Sequence, residues 1–209
     1  MKIVLINGSP KVKKSASSVL LEDLKIQLCE KAQIVEAAFH TSTVSEETLE
    51  ELRNADAWVF AYPLYVDGIP AHLLSCLVQL EEAHLKDRKI HIYGIVNCGF
   101  YEGIQAEPAL EILQNWCVKA EFIWGGGLGV GGGGALSSMS GLGPTDGPKA
   151  PIGNRLLEIA EAILLREGQE NRCVSFGCPR WMYKMIAQMG WRRTIKANGG
   201  RTKDLGKQA

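Results

Sequence analysis

Runs of consecutive apolar residues alternate along this chain with stretches where apolar side chains recur every three or four positions. The first run, Lys2-Ile3-Val4-Leu5-Ile6, is closed by Asn7-Gly8-Ser9-Pro10, the pattern of a strand buried on both faces. From Ser15 onward Val19, Leu20, Leu24 and Leu28 recur at helical spacing, which predicts a helix over about 15–31. A second strand follows at Gln33–Phe39, a short polar helix at Glu46–Arg53 opened by a Ser45 cap, and a third strand at Asp56–Ala61. The segment from Tyr62 to Pro70 contains Pro63, Gly68 and Pro70 and cannot continue either kind of element. Then come a helix at Ala71–His84, a strand at His91–Val96, a loop from Asn97 to Gly103, a helix at about 105–118 and a fifth strand at Glu121–Trp124. The last helix of this series is Arg155–Glu167, with Leu156, Leu157, Ile159, Ala160, Ile163 and Leu164 on its buried side.

Five strands joined by connections of helix length predict an α/β fold with a doubly wound, five-stranded parallel sheet. In such sheets ligands bind beyond the carboxyl ends of the strands, at the point where strand order reverses. The three irregular loops, after strands one, three and four, all fall on that edge. At 209 residues the chain suits one well-cored domain, expected over 1–175, with a helical extension and basic tail over 176–209.

The first loop carries hydroxyls at Ser9, Ser15, Ser17 and Ser18 and cations at Lys11, Lys13 and Lys14, close to a helix start. Unpaired amides and the positive end of the helix dipole favour an anion there, although the same hydroxyls serve equally well as helix caps. Gly8-Ser9-Pro10 is not followed by Gly-Lys-Ser or Gly-Lys-Thr, which excludes the nucleoside triphosphatase loop. In the second loop Tyr62, Leu64, Tyr65 and Val66 offer an apolar wall beside the turn residues Asp67 and Gly68. Asn97, Gly99, Phe100, Tyr101 and Gly103 offer the same on the other side. Each aromatic alone suits a core, but several on one rim suit a flat ligand.

Eight of the ten residues from Gly125 to Gly134 are glycine. Gly129 to Gly134 formally fits G-x-G-x-x-G, yet any polyglycine does, and neither a following helix nor a suitably spaced acidic residue is apparent. A mobile loop beside the site is the expectation.

The stretch Asn7-Gly8-Ser9-Pro10-Lys11 with its spaced serines resembles the first loop of the flavodoxin-like NAD(P)H-dependent FMN reductases. Pro63-Leu64-Tyr65-Val66-Asp67-Gly68-Ile69-Pro70 and Asn97-Cys98-Gly99-Phe100-Tyr101-Glu102-Gly103 are similar to that family's ring-binding loops. The likeness covers roughly residues 1–125. It implies FMN held at its phosphate by Ser9, Lys11, Ser15, Ser17 and Ser18. Its ring would lie against Pro63, Leu64, Tyr65, Val66, Asp67 and Gly68 on one side, with Gly68 or its neighbour giving an amide to flavin N5. Asn97, Cys98, Gly99, Phe100, Tyr101 and Gly103 would lie on the other. The implied activity is an oxidoreductase passing reducing equivalents from NAD(P)H through the flavin to a flavin, quinone or similar small acceptor. The chemistry is then the cofactor's, no catalytic side chain is required, and Tyr65 and Asp67 are candidate contacts for the second substrate. The alternative is a flavodoxin-type electron carrier with no NAD(P)H site. Carriers usually present a strongly acidic face, whereas this chain's formal net charge is zero.

That zero conceals an asymmetry. Residues 180–209 hold eight Lys or Arg against one acid, a balance of +7, which leaves −7 for residues 1–179. Trp181, Met182, Met185, Ile186 and Met189 recur at spacings of three and four among these cations, predicting a basic amphipathic helix. Three roles fit it: packing on a second subunit to form a homo-oligomer, lying on an anionic membrane surface as a peripheral contact, or covering its own domain. No apolar run reaches spanning length and no signal-peptide pattern opens the chain, so a cytoplasmic protein is expected, with no nucleic-acid partner. The six cysteines form no C-x-x-C pair, which argues against zinc or iron–sulfur sites and for reduced, mostly buried thiols. His40, His72, His84 and His91 sit in or beside predicted elements and are expected to be structural.

Overall fold

Strand β1 (Lys2–Asn7) runs through the interior of a parallel sheet in the computed structural model, which describes residues 1–83 and 89–203. It is followed by α1 (Ala16–Leu28), β2 (Gln33–Ala38), α2 (Glu46–Arg53), β3 (Ala57–Pro63), α3 (Ala71–Glu82) and β4 (His91–Asn97). Beyond these lie α4 (Glu107–Lys119), β5 (Ile123–Val130), α5 (Gly133–Leu136), α6 (Ala150–Leu165), β6 (Arg172–Val174) and α7 (Arg180–Ala197). The expected end of α3 at His84 and the tail from residue 204 lie outside the described residues. The helix expected at about 105–118 opens as a 3-10 turn, Gly103–Ala106, before α4.

Sheet order is β2-β1-β3-β4-β5-β6, with every neighbouring pair parallel. The chain steps from β1 to β2 on one side and then to β3 on the other, so the reversal point lies between β1 and β3. Side chains alternate between two faces of the sheet. Val4, Ile6, Trp58, Phe60, Tyr62, Ile92 and Val96 join one apolar cluster with Leu73, Leu77 and Leu80 of α3 and Leu110, Leu113 and Trp116 of α4. Within it the Trp58 and Phe122 rings meet at a tilt of 56° with 4.9 Å between centroids, and Phe60 meets Trp116 edge-on at 6.1 Å. The opposite face is served by α6, where Ala162 O accepts a hydrogen bond from the Tyr93 hydroxyl at 3.0 Å. Burial pushes that hydroxyl's pKa up to about 12.

Three expectations are corrected. The sheet has six strands rather than five, because Arg172–Val174 pairs with β5 through Leu128↔Arg172, Gly129↔Cys173 and Val130↔Val174. Three residues are too few to show a strand's period. The glycine run is also not a mobile loop throughout, since Gly125 to Val130 forms most of β5 and is buried. Its glycines answer to crowding. A Cβ on Gly125 would lie 2.4 Å from the Tyr93 ring, one on Gly127 2.7 Å from Leu110 Cδ2, and one on Gly129 2.8 Å from Gly103 O. Gly125 is skipped in the pairing, where the register steps from Ile92↔Trp124 to Tyr93↔Gly126. Contrary to expectation, a helix does open at the end of the run, the four-residue α5 that begins at Gly133.

The chain divides into two units, Met1–Gly177 and Cys178–Ala209. The second contains α7, which has no acidic residue and no buried one. No described helix is long and apolar enough to cross a membrane.

An ion pair is buried in the first unit. Lys149 Nζ lies 2.9 and 2.7 Å from the two carboxylate oxygens of Asp23 on α1 and donates to Leu142 O at 3.2 Å. The two side chains are only 1% and 7% exposed. Burial pushes the Asp23 carboxyl above its usual value, against the pull of Lys149. Removing one member of such a pair strands the other's charge, at a cost of about 3–5 kcal/mol. Lys149→Met should lower unfolding stability by about that amount in urea, and Lys149→Met with Asp23→Leu should recover most of it. A single variant as stable as the parent would show that the pair holds nothing.

Candidate functional site

Beyond the carboxyl ends of β1, β3 and β4, three loops and the start of α5 enclose a cleft of about 310 Å³. The first wall comes from the β1–α1 loop. Asn7 Oδ1 accepts from the Ser9 amide at 3.1 Å, Ser9 Oγ accepts from the Lys11 amide at 3.2 Å, and His40 donates from Nδ1 to Ser9 O at 2.6 Å. These bonds fold the loop back on itself and bury Ser9. Ser15 is the N-cap of α1, accepting from the Ser18 amide at 3.0 Å, and Ser18 Oγ donates to Ser15 O at 2.8 Å. The capping reading of Ser15 therefore holds, and Ser15 lines the cleft as well. The first-turn amides of Ala16 and Ser17 donate to no described group. They stand at a helix N-terminus beside Lys11 and Lys14, an arrangement that suits an anion.

The second wall is the loop after β3. Pro63, Leu64 and Tyr65 line the cleft. Tyr65 and Gly68 then exchange hydrogen bonds of 3.1 and 3.0 Å across a two-residue turn, with Val66 at φ 49° and Asp67 at φ 56°. Both central residues have positive φ, as in a type I′ hairpin turn. Such backbone is unusual for a β-branched residue, and Val66 is fully exposed at the tip. The Gly68 amide is spent within this turn, so it is no donor to a ligand, whereas the Asp67 amide donates to no described group. Tyr62 also departs from expectation. It points into the core, donating its hydroxyl to Ala109 O at 2.9 Å, because it falls on the α4 face of β3.

Asn97, at the end of β4, ties the walls together. Its Nδ2 donates to Ser17 Oγ at 2.8 Å and to Tyr62 O at 3.1 Å, while its backbone carbonyl accepts from the Leu64 amide at 2.8 Å. In the loop after β4, Gly99 lines the cleft and Phe100 is exposed beside it in sequence. Cys98 is buried, and burial raises its thiol pKa, so it is held as a thiol at neutral pH. Gly103 packs against β6, where a Cβ would come within 2.3 Å of Val174 O.

Of the residues singled out from sequence, Ser9, Lys11, Ser15, Ser17, Pro63, Leu64, Tyr65, Asn97 and Gly99 share the cleft lining. Ser18, Val66, Asp67, Gly68, Cys98, Phe100, Tyr101 and Gly103 lie outside it. Lys14, noted from sequence among the first loop's cations, lines it too, as do Ala16, Gly133, Gly134 and Ser137. The last three were hidden in and just after the glycine run, whose only signal was its composition. No lining residue is acidic, and no described histidine is among them. His72 and His91 instead bury a ring nitrogen without a hydrogen-bond partner. Among the described residues no group of His, Cys, Asp and Glu could hold a metal ion.

No protein-family model matches the chain, and no curated protein matches it in sequence. Solved structures share its fold. A flavone reductase superposes with a TM-score of 0.57 at 12% identity, covering 81% of this chain and 66% of its own. A WrbA-like flavodoxin from Agrobacterium tumefaciens gives 0.52 at 14%, covering 78% and 95%. An NADPH-quinone reductase from P. pentosaceus gives 0.50 at 14%, covering 81% and 99%. At these identities the likeness is one of fold, and the fold is flavodoxin-like.

Two neighbouring glycines separate packing from composition. A Cβ on Gly133 would lie 2.9 Å from Asn97 Oδ1 and 3.0 Å from Cys98 O, whereas one on Gly134 meets nothing within 4 Å. Gly133→Ala should therefore lower thermal stability by about 1–3 kcal/mol, and Gly134→Ala should leave it unchanged or slightly raised. Equal melting temperatures for the two variants would contradict the close approach of α5 to Asn97.

Proposed function

We propose that this protein binds FMN in the rim cleft and passes reducing equivalents from NAD(P)H through it to a small acceptor such as a flavin or quinone. The observation that carries this reading is the anion end of the cleft, where the Ala16 and Ser17 amides, the Ser9 and Ser15 hydroxyls and two lysines converge without any acidic residue. That set matches a phosphate monoester dianion, since amides at a helix N-terminus supply directed donors and lysines supply charge. Pro63, Leu64 and Tyr65 offer an apolar surface to an aromatic ring system, and the Asp67 amide remains available as a donor at its edge. FMN, when bound, would supply the hydride chemistry. The chain's own task is to hold, orient and exclude water, which accounts for a cleft without a described histidine, an acid or a reactive thiolate. Tyr65, half exposed at the mouth, is placed to touch a second substrate. The acidic balance of residues 1–179 keeps the electron-carrier alternative within the same test.

Purified protein titrated with FMN should quench the flavin's fluorescence and bind it at least tenfold more tightly than riboflavin, because hydrogen bonds to a charged group contribute about 1.5–3 kcal/mol each. Lys11→Met should narrow that ratio. Under anaerobic conditions NADH or NADPH should bleach the bound flavin rapidly. Equal affinity for FMN and riboflavin would remove the phosphate site, and bound flavin that neither nucleotide reduces would decide for the carrier.

A further inference from the structure

Helix α7 changes character along its length rather than around its girth. Trp181, Met185 and Met189 form one row at four-residue spacing, with Met182 and Ile186 in the row beside it. Continued by three and four residues, these same rows run into Arg192, Arg193 and Lys196. One face is thus apolar over about its first 9 residues, about 13 Å at 1.5 Å per residue, and cationic over its last two turns. From Arg180 to Lys203 there are seven Lys or Arg and no Asp or Glu.

We propose that α7 is a peripheral anchor lying obliquely in an anionic membrane surface, its apolar half at the boundary between headgroups and acyl chains and its cationic half at the phosphates. A seam of α7 against α7 of a second copy would have to bury one continuous face, and that face ends in three cations with no acid on the helix to pair them. A bilayer interface presents both environments in the required order, apolar beside anionic. Charge sets the partner's sign: a segment with no acid is attracted to anionic lipid along its whole length. Trp181 and Trp191, both exposed, are of the residue type favoured at headgroup depth.

The test uses the full chain with vesicles of phosphatidylcholine alone or with about 30 mol% phosphatidylserine. The protein should sediment with the anionic vesicles at least tenfold more strongly than with the neutral ones, and about 0.5 M NaCl should weaken that binding. Tryptophan emission should shift to the blue on binding. That change reports α7, because Trp58 and Trp116 are already buried and the Trp124 indole is bonded to Asn171. Charge reversal at Arg192→Glu, Arg193→Glu and Lys196→Glu, with the circular dichroism spectrum unchanged, should abolish sedimentation. Trp181→Ala with Met185→Ala should weaken it at least tenfold while leaving those cations in place. Absence of vesicle binding overturns the proposal. So does equal binding to neutral and anionic vesicles. If the full chain instead forms a dimer that the charge reversal dissociates, with no vesicle binding, the helix packs on a second copy.

Discussion

The three rim loops hang on one residue, Asn97, through its side-chain amide and its backbone carbonyl. Asn97 reaches from the end of β4 to Ser17 in the first turn of α1 and to the carbonyl of Tyr62 at the end of β3, and its own carbonyl takes the Leu64 amide. A parallel sheet brings strand ends to one edge but does not fix how far the loops beyond them spread. Here that spread is set by hydrogen bonds to a residue only 5% exposed, where an unmet donor or acceptor costs about 1–3 kcal/mol. The same residue constrains the segment after β5. Gly133 passes so close to Asn97 Oδ1 that no side chain fits between them, and the Gly133 amide donates to Cys98 O at 2.8 Å. Cleft shape therefore depends on four segments converging on a single position.

Much of this was legible in the residues. Strands β1, β3 and β4 announce themselves as buried apolar runs, and the caps at Ser15 and Ser45 are read from hydroxyls placed just before helical periods. What escaped was long-range approach. The stretch from Gly125 to Gly129 reads as a loop by composition. Yet Gly125, Gly127 and Gly129 are needed as glycine because Tyr93, Leu110 and Gly103 occupy the space a Cβ would take. Those neighbours stand on other elements, β4, α4 and the turn before it, and no local pattern encodes them. Strand β6 failed for a related reason, since three residues acquire strand character only from the partner they meet.

Ser17 shows where a sequence motif and its physical role divide. As one of several hydroxyls near a helix start it reads as a ligand donor. In the fold its oxygen accepts from Asn97, so it helps fix the wall as well as lining it. Tyr62 divides the same way. Its neighbours Pro63 and Leu64 face the cleft, but the alternation of β3 turns the Tyr62 ring into the core, where Ala109 O satisfies its hydroxyl.

Charge in this chain is arranged by region rather than by total. Residues 1–179 carry −7, yet the cleft inside that stretch is lined by two lysines and no acid. Lys149 falls in the same stretch, and its charge is consumed by Asp23 in the interior. Attraction between exposed charges fades beyond a Debye length of about 8 Å at physiological salt. An anionic ligand in the cleft therefore responds to Lys11, Lys14 and the helix end within a few ångströms, and the acidic surplus elsewhere does not cancel them. A net charge of zero is in this sense no evidence about the cleft. The residues that decide which ions it accepts are those that Asn97 and the Ser9 turn hold around it.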